Sequence, residues 1–313
     1  MLSRRQLRVR VLQALYAFFQ QENGDVWIAQ KELLASAERV YDLYLQLLNL
    51  LPEMAHHETM YIKDAPKKHI AKSNEIVNKL DENIIVKYLN SNLGFNDKLK
   101  KRGLSWSKDT DLLSRIFLSF RMSDEYLQYI SDKELTVKKQ VDFVIHFYNQ
   151  HIFTNEAFTH EMEDKNVFWA ESFELISQMV IKSVTDFDEK NASLEIMPMY
   201  RDKDDDIDFM RKLFSETIKH NEWFTQLIAD KTKNWEVERI AIMDVIMLKM
   251  ALAEVTCFES IPVKVTINEY LDISKVYSTP KSKVFINGII DKLVVDLKQT
   301  DKIQKRGRGL IDK

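Results

Sequence analysis

The sequence predicts an all-α fold, and three observations carry that prediction. Apolar residues recur at steps of three and four along most of the 313 residues, which is the spacing of one helix face. Only six glycines and five prolines are present, too few for a loop-rich or all-β chain. Helix start signals precede strong stripes, as at Thr279-Pro280, a capping residue followed by a proline at a first helical position.

Residues 1–20 read as the first helix, with Leu7, Val11, Ala14, Leu15 and Phe18 as its buried stripe. Arg4, Arg5, Arg8 and Arg10 crowd its first two turns, and no acid occurs among residues 1–21. The helix dipole disfavours each such cation by roughly 0.3–1 kcal/mol. Two readings stand: guanidinium groups placed to meet phosphates and bases, or a solvated, frayed terminus. Arg10 falls on the other side of the helix.

Residues 28–62 read as a long helix that Pro52 kinks or ends, with Leu33, Leu34, Val40, Leu43, Tyr44, Leu47 and Leu51 facing inward. His56-His57-Glu58 resembles a metal cluster, but adjacent helical positions point about 100° apart, so the expectation is an exposed polar turn. Residues 63–75 read as a linker. Residues 76–91, 109–131, 136–152 and 167–187 follow as helices, with Gly94 and Gly103 marking a loop. The aromatic residues of this region, such as Phe143, Phe147, Phe158 and Trp169, are expected to form its own core. Asp202, Asp204, Asp205 and Asp206 lack the glycine and glutamate of a calcium loop, since Ile207 and Leu213 stand there. They read as a linker and helix start, with two helices over 207–232.

The stretch from Trp235 to Lys292 organises the rest. Its first piece carries Ile240, Met243, Met247, Met250 and Ala251 at helical spacing, its second Val263, Ile267, Tyr270, Leu271 and Ser274, and its third Val284, Phe285, Gly288, Ile289 and Leu293. Asn234 is the expected cap of the first piece, and Asp244 a cap inside it. Ser260 and Pro262 open the second. Asn287-Gly288 sits in helical rather than alternating surroundings, so it reads as helix interior, where glycine is tolerated for close approach of another helix. The tail, residues 298–313, carries Lys302, Lys305, Arg306 and Arg308. It is expected to be mobile, either adding to RNA binding or solubilising the end.

Composition narrows the class. Hydrophobic residues make up 45% and charged residues 30%, and the net charge is −3. That describes a soluble protein in which nucleic-acid contact must come from a local patch. Cys257 is the only cysteine, read as a small buried hydrophobe. No apolar run approaches membrane-spanning length and no signal core follows the N-terminal arginines, so a cytoplasmic protein is expected. Asn191-Ala192-Ser193 therefore carries no glycosylation meaning. No phosphate loop, nucleophile elbow or paired metal motif occurs, so neither catalysis nor a cofactor is expected.

Four runs carry a resemblance. Arg239-Ile240 leading to Glu254, PVKVTINE over 262–269, FINGIIDK over 285–292, and the arginine-rich start followed by Gln13-Ala14-Leu15-Tyr16 resemble the NusB antitermination family. The resemblance covers residues 1–50 and 203–297. It implies a core of two small helical bundles formed by 1–55 and 203–297, interrupted by a helical insert over 56–202 and followed by the basic tail. It further implies an RNA-binding transcription antitermination factor for boxA-type RNA of ribosomal RNA transcripts. The protein partner would be NusE, a small-subunit ribosomal protein, within the RNA polymerase antitermination complex. Arg4, Arg5, Arg8, Tyr277, Lys283 and Phe285 fall on the RNA-binding positions, Tyr16 and Asp244 on the protein-partner positions, and homodimers occur in the family. The alternatives are an accessory relative of the NusB-like domain of RNA cytosine methyltransferases, without catalysis, and a protein scaffold.

Overall fold

The structure is a computed structural model that describes residues 2–64, 79–170, 172–232, 241–279 and 282–310. Helices dominate, as expected, and no β-strand forms among these residues. One isolated bridge pairs Asp188 with Ser193. The expected positions Asn234, Trp235, Arg239, Ile240 and Pro280, and most of the expected linker over 63–75, lie outside the described residues.

The chain divides into two compact units, Met1–Ala37 with Met199–Lys313, and Glu38–Pro198. The division falls within a helix near residue 37, earlier than the limit at 55 taken from the sequence. The first unit includes the start of α2 (Val26–Asp64), and in it α1 (Arg4–Phe19), α11 (Lys203–Lys219) and α12 (Asn221–Lys231) pack around α13 (Ile242–Cys257). Helices α14 (Val263–Tyr277) and α15 (Ser282–Gln299) complete the ring. Each helix of this ring packs on α13. Its residues from Ile246 to Val255 are all buried. A helix buried all round has no polar face to set its phase, so the single stripe read from the sequence understated it. Helix α13 is unbroken at Asp244, and Ala241 precedes it with no side-chain cap.

The second unit holds the remainder of α2 and α3 (Ile84–Ser91), α4 (Leu93–Arg102), α5 (Thr110–Arg121), α6 (Asp124–Ser131) and α7 (Val137–Phe147). A π-helical turn, Tyr148–Phe153, then leads to α8 (Glu156–Lys165), α9 (Val167–Ala170) and α10 (Phe173–Thr185). Helix α2 continues through Pro52 instead of ending there. Helix α4 was missed because it is lysine-rich and buries only Phe95 and Leu99. Gly103, at φ +64°, ends it in the left-handed conformation that glycine adopts freely. The aromatic residues do build a core: Trp106, Phe120, Phe147, Tyr148 and Phe158 are fully buried. Their polar atoms are satisfied, with Tyr148 donating to the Leu47 carbonyl at 2.9 Å and Trp106 to that of Gln46 at 3.1 Å.

Two sequence expectations are corrected here. Glu58 belongs to no exposed turn: it is buried within α2, accepts a hydrogen bond from the Leu80 amide at 3.0 Å and another from the Tyr126 hydroxyl. Gly288 is exposed, and a Cβ there would meet nothing within 4 Å, so among the described residues no helix packs against it. The buried stripe of α15 is Ile286, Ile289, Ile290, Leu293, Val294 and Leu297, with Val284 outside it.

Both corrections yield measurements. Gly288→Ala should stabilise the protein by about 1 kcal/mol, the propensity difference at an open helix position, read as a raised urea midpoint. Burial pushes the Glu58 carboxyl above its usual range. The folded state therefore keeps a proton that the unfolded chain releases, and this contribution is lost as pH rises through the folded value. Stability should fall over that window above about pH 4.3, and Glu58→Gln should flatten the slope there; an unchanged slope removes Glu58 as its source.

Candidate nucleic-acid interface

Helix α1 is held at its start by a capping box between Ser3 and Gln6, which satisfies amides that the first turn leaves open. The Leu2 amide donates to the Met199 carbonyl at 2.8 Å. Leu7, Val11, Leu12 and Leu15 are completely buried, and α1 packs on α11, α13 and α14. This places three arginines against carboxylates carried by α11, α13 and α14.

Arg8 is not on an open face. Its side chain is 3% exposed, and Glu254 opposite is 0% exposed. Arg8 Nε and Nη2 donate to the two Glu254 carboxylate oxygens at 2.8 and 2.7 Å, a bidentate pair. Arg8 Nη1 reaches Glu269 at 3.4 Å. Glu254 also accepts from Thr266 at 2.8 Å and Tyr270 at 3.4 Å. Burial disfavours the Arg8 charge, but the hydrogen bonds and charge of Glu254 outweigh it and hold its pKa above the usual arginine range. Burial, reinforced by Glu254, also raises the Tyr270 hydroxyl. Arg8, expected from the sequence at an RNA-binding position, is buried here, where its guanidinium joins α1 to α13 and α14.

Arg4 and Arg5 stand at the rim. Arg4 pairs with Asp205 and, at 3.3 Å, with Asp206, and its guanidinium lies 4.4 Å over the Phe209 ring. Arg5 pairs with Glu269 at 3.0 Å and Asp272 at 2.7 Å. Their side chains are 35% and 47% exposed, and that of Asp205 is 73% exposed. The two arginines line an open cleft of about 980 Å³ with Phe209, Lys212, Phe258 and Val265. The acidic run does start α11: Asp202 caps it through the Asp205 amide at 3.2 Å, and buried Asp206 accepts from the Arg201 amide at 2.9 Å.

The remaining candidates gather at the turn between α14 and α15. Tyr277 and Phe285 are half-buried and Lys283 is exposed. Glu269 and Tyr277 share α14, about 12 Å apart along its axis. Asp244, at the start of α13, is buried and accepts from the Ser278 hydroxyl. The Ser278 hydroxyl, its proton given to Asp244, lies 2.8 Å from the Ser282 hydroxyl and can only accept from it, and Thr279 meets Ser282 at 2.9 Å. Asp244 thus ties α13 to this turn and is not a helix cap. Tyr16 is 43% exposed and lies about 18 Å along α1 from Arg4.

The tail, expected to be mobile, makes contacts at and just beyond the end of α13 through Lys305 and Arg306. Lys305 donates to the Phe258 carbonyl at 2.7 Å and the Glu254 carbonyl at 3.3 Å, so a cation meets the carbonyl end of α13. The Arg306 amide donates to the Glu259 carbonyl at 2.9 Å.

Sequence reading missed the carboxylates: Glu254, Glu269, Asp272 and Asp206. A signal for Glu254 existed, since it is a lone acid inside the apolar run LKMALAEV. A buried charge of that kind requires a partner, and the arginine-rich, acid-free first helix was available to supply it.

The fold and this cleft define an all-α protein with a buried arginine–glutamate pair beneath two rim arginines. The chain belongs to the NusB family. The NusB family pattern matches residues 171–294. The transcription antitermination protein NusB of Salinibacter ruber is 41% identical over 128 residues, 41% of this chain and 80% of the relative. That of Chloroherpeton thalassium is 39% identical over 105 residues, covering 34% of this chain and half of the relative. That of Clostridium botulinum is 32% identical over 114 residues, 36% of this chain and 79% of the relative. No solved structure matches. Among the described residues no helix is long and apolar enough to cross a membrane.

The buried and rim pairs should separate in stability. Removing one partner of a buried pair leaves an uncompensated charge, so Arg8→Ala should lose about 3–5 kcal/mol in urea unfolding. Arg5→Ala, whose own side chain is exposed and whose partners are half-buried, should lose about 1 kcal/mol. Equal losses would contradict the division.

Proposed function

We propose that this protein is an RNA-binding transcription antitermination factor. It binds boxA-type RNA of ribosomal RNA transcripts together with a NusE-type ribosomal protein, in an RNA polymerase antitermination complex and without catalysis. The observation that carries the reading is the rim pair, Arg4 and Arg5, which line an open cleft and are held by carboxylates of which Asp205 is exposed and Glu269 and Asp272 half-buried. Such ion pairs are worth about 0–1 kcal/mol in water, so a phosphate can take the place of a carboxylate. Tyr277 at the end of α14, with Phe285 and Lys283 at the start of α15, supply ring faces and charge for unstacked bases, the usual mode of single-strand recognition. The names of the relatives support the same reading. In this proposal residues 1–55 and 203–297 form the NusB-like core, and residues 56–202 are an insert.

Arg4→Ala with Arg5→Ala should weaken boxA RNA binding and reduce its salt slope by up to about 0.7 per lost contact. Unchanged affinity and slope would leave a protein scaffold as the reading. Asp244→Asn keeps an acceptor for Ser278 while removing charge. Loss of NusE binding with unchanged melting would support Asp244 as a partner residue, with Tyr16→Ala tested beside it. Equal binding would remove Asp244 from that surface.

A further inference from the structure

A second cluster lies at the far end of α11, about 16 Å along the helix from Asp205. Glu216 and His220 stand one turn apart on one face, and Cys257 is the last residue of α13. Glu216 Oε2 lies 3.2 Å from His220 Nε2 and 3.6 Å from Cys257 Sγ. One ligand atom from each residue falls within 4.8 Å of the other two. A tetrahedral zinc ion, with bonds of about 2.3 Å to sulfur and 2.0–2.2 Å to nitrogen and oxygen, sets its ligand atoms about 3.3–3.7 Å apart. Two of the three separations are therefore close to that spacing.

The donor set is also specific. Thiolate, imidazole and carboxylate together suit zinc and cobalt rather than magnesium or calcium. Thiolate and carboxylate supply two negative charges for a divalent ion. All three residues are half-buried, which leaves a fourth position for water. Their supports are rigid: Leu213, Phe214 and Thr217 are buried beside Glu216, and Val255 and Phe258 beside Cys257. The His220 ring is flanked by Trp223 and Phe224 at 5.7 and 5.6 Å. Lys219, 3.8 Å from Glu216 on the exposed side, is the competing cation.

We propose that Glu216, His220 and Cys257 form a binding site for a zinc-class divalent metal, joining the C-terminal ends of α11 and α13. The proposal stands independently of RNA binding. It is tested on the full chain, reduced and freed of metal with a chelator. Cobalt(II) should give a thiolate-to-metal charge-transfer absorption saturating at one equivalent, and zinc(II) should displace it. Cys257 is the chain's only cysteine, so the band identifies its ligand even if a variant fails to fold. Cys257→Ser should abolish the band, and His220→Ala or Glu216→Gln should weaken binding at least tenfold, with circular dichroism unchanged. Zinc should raise the melting temperature of the unaltered protein but not of Cys257→Ser. No thiolate band at saturating cobalt, or an equal zinc shift in Cys257→Ser, would overturn the proposal.

Discussion

The first unit depends on one interaction, the buried pair between Arg8 and Glu254. Both charges are removed from water, which is expensive unless geometry and hydrogen bonding are complete. They are complete here: the fork of Arg8 spans both carboxylate oxygens, and Thr266 and Tyr270 occupy further sites on them. The pair therefore fixes the rotation of α1 on α13 and the position of α14. A hydrophobic pair of similar volume could hold these helices together, but without aiming Arg4 and Arg5 at Asp205 and Glu269. Buried ionic groups often act in this way, as devices of register.

The second unit relies on a different device. Its core is aromatic, and the polar atoms of those rings are tied to backbone groups, to neighbouring side chains such as Ser183 and Asn83, or, for Tyr126, to the Glu58 carboxyl. Tyr44, for example, meets Ser183 at 2.7 Å and accepts from the Met197 amide at 3.0 Å. Large rings fill space with few rotamers, and their polar tips choose one orientation each. The same arrangement explains why these residues read as core in the sequence and not as a binding platform.

Legibility followed the physics of each element. Amphipathic helices such as α1, α5 and α7 declared themselves by spacing, and Thr136 and Ser123 capped helices where side chains can do so. Helix α13 was recognised, but its all-round burial hid which residues face which neighbour. The phase of α15 was misread at Val284 because Val284, Phe285 and Ile286 are three consecutive apolar residues, which leave more than one helical stripe open. The arginines were legible as a cluster. Their division into one buried and two rim groups was not, because it depends on carboxylates more than 200 positions away. The buried role of Glu58 was equally non-local, resting on Tyr126 and Leu80.

On the proposed reading, the rim pairs would make the cleft an ion exchanger. Arg4 and Arg5 are already neutralised, so an incoming phosphate does not meet bare cations. It displaces carboxylates, and Asp205, Glu269 and Asp272 then turn toward water and gather cations of their own. The sodium or potassium released from a nucleic acid is partly taken up again by the protein. Affinity at this cleft should therefore respond less to ionic strength than the number of arginines suggests, while selectivity among anions rests on which one fits the guanidinium fork better than a carboxylate does.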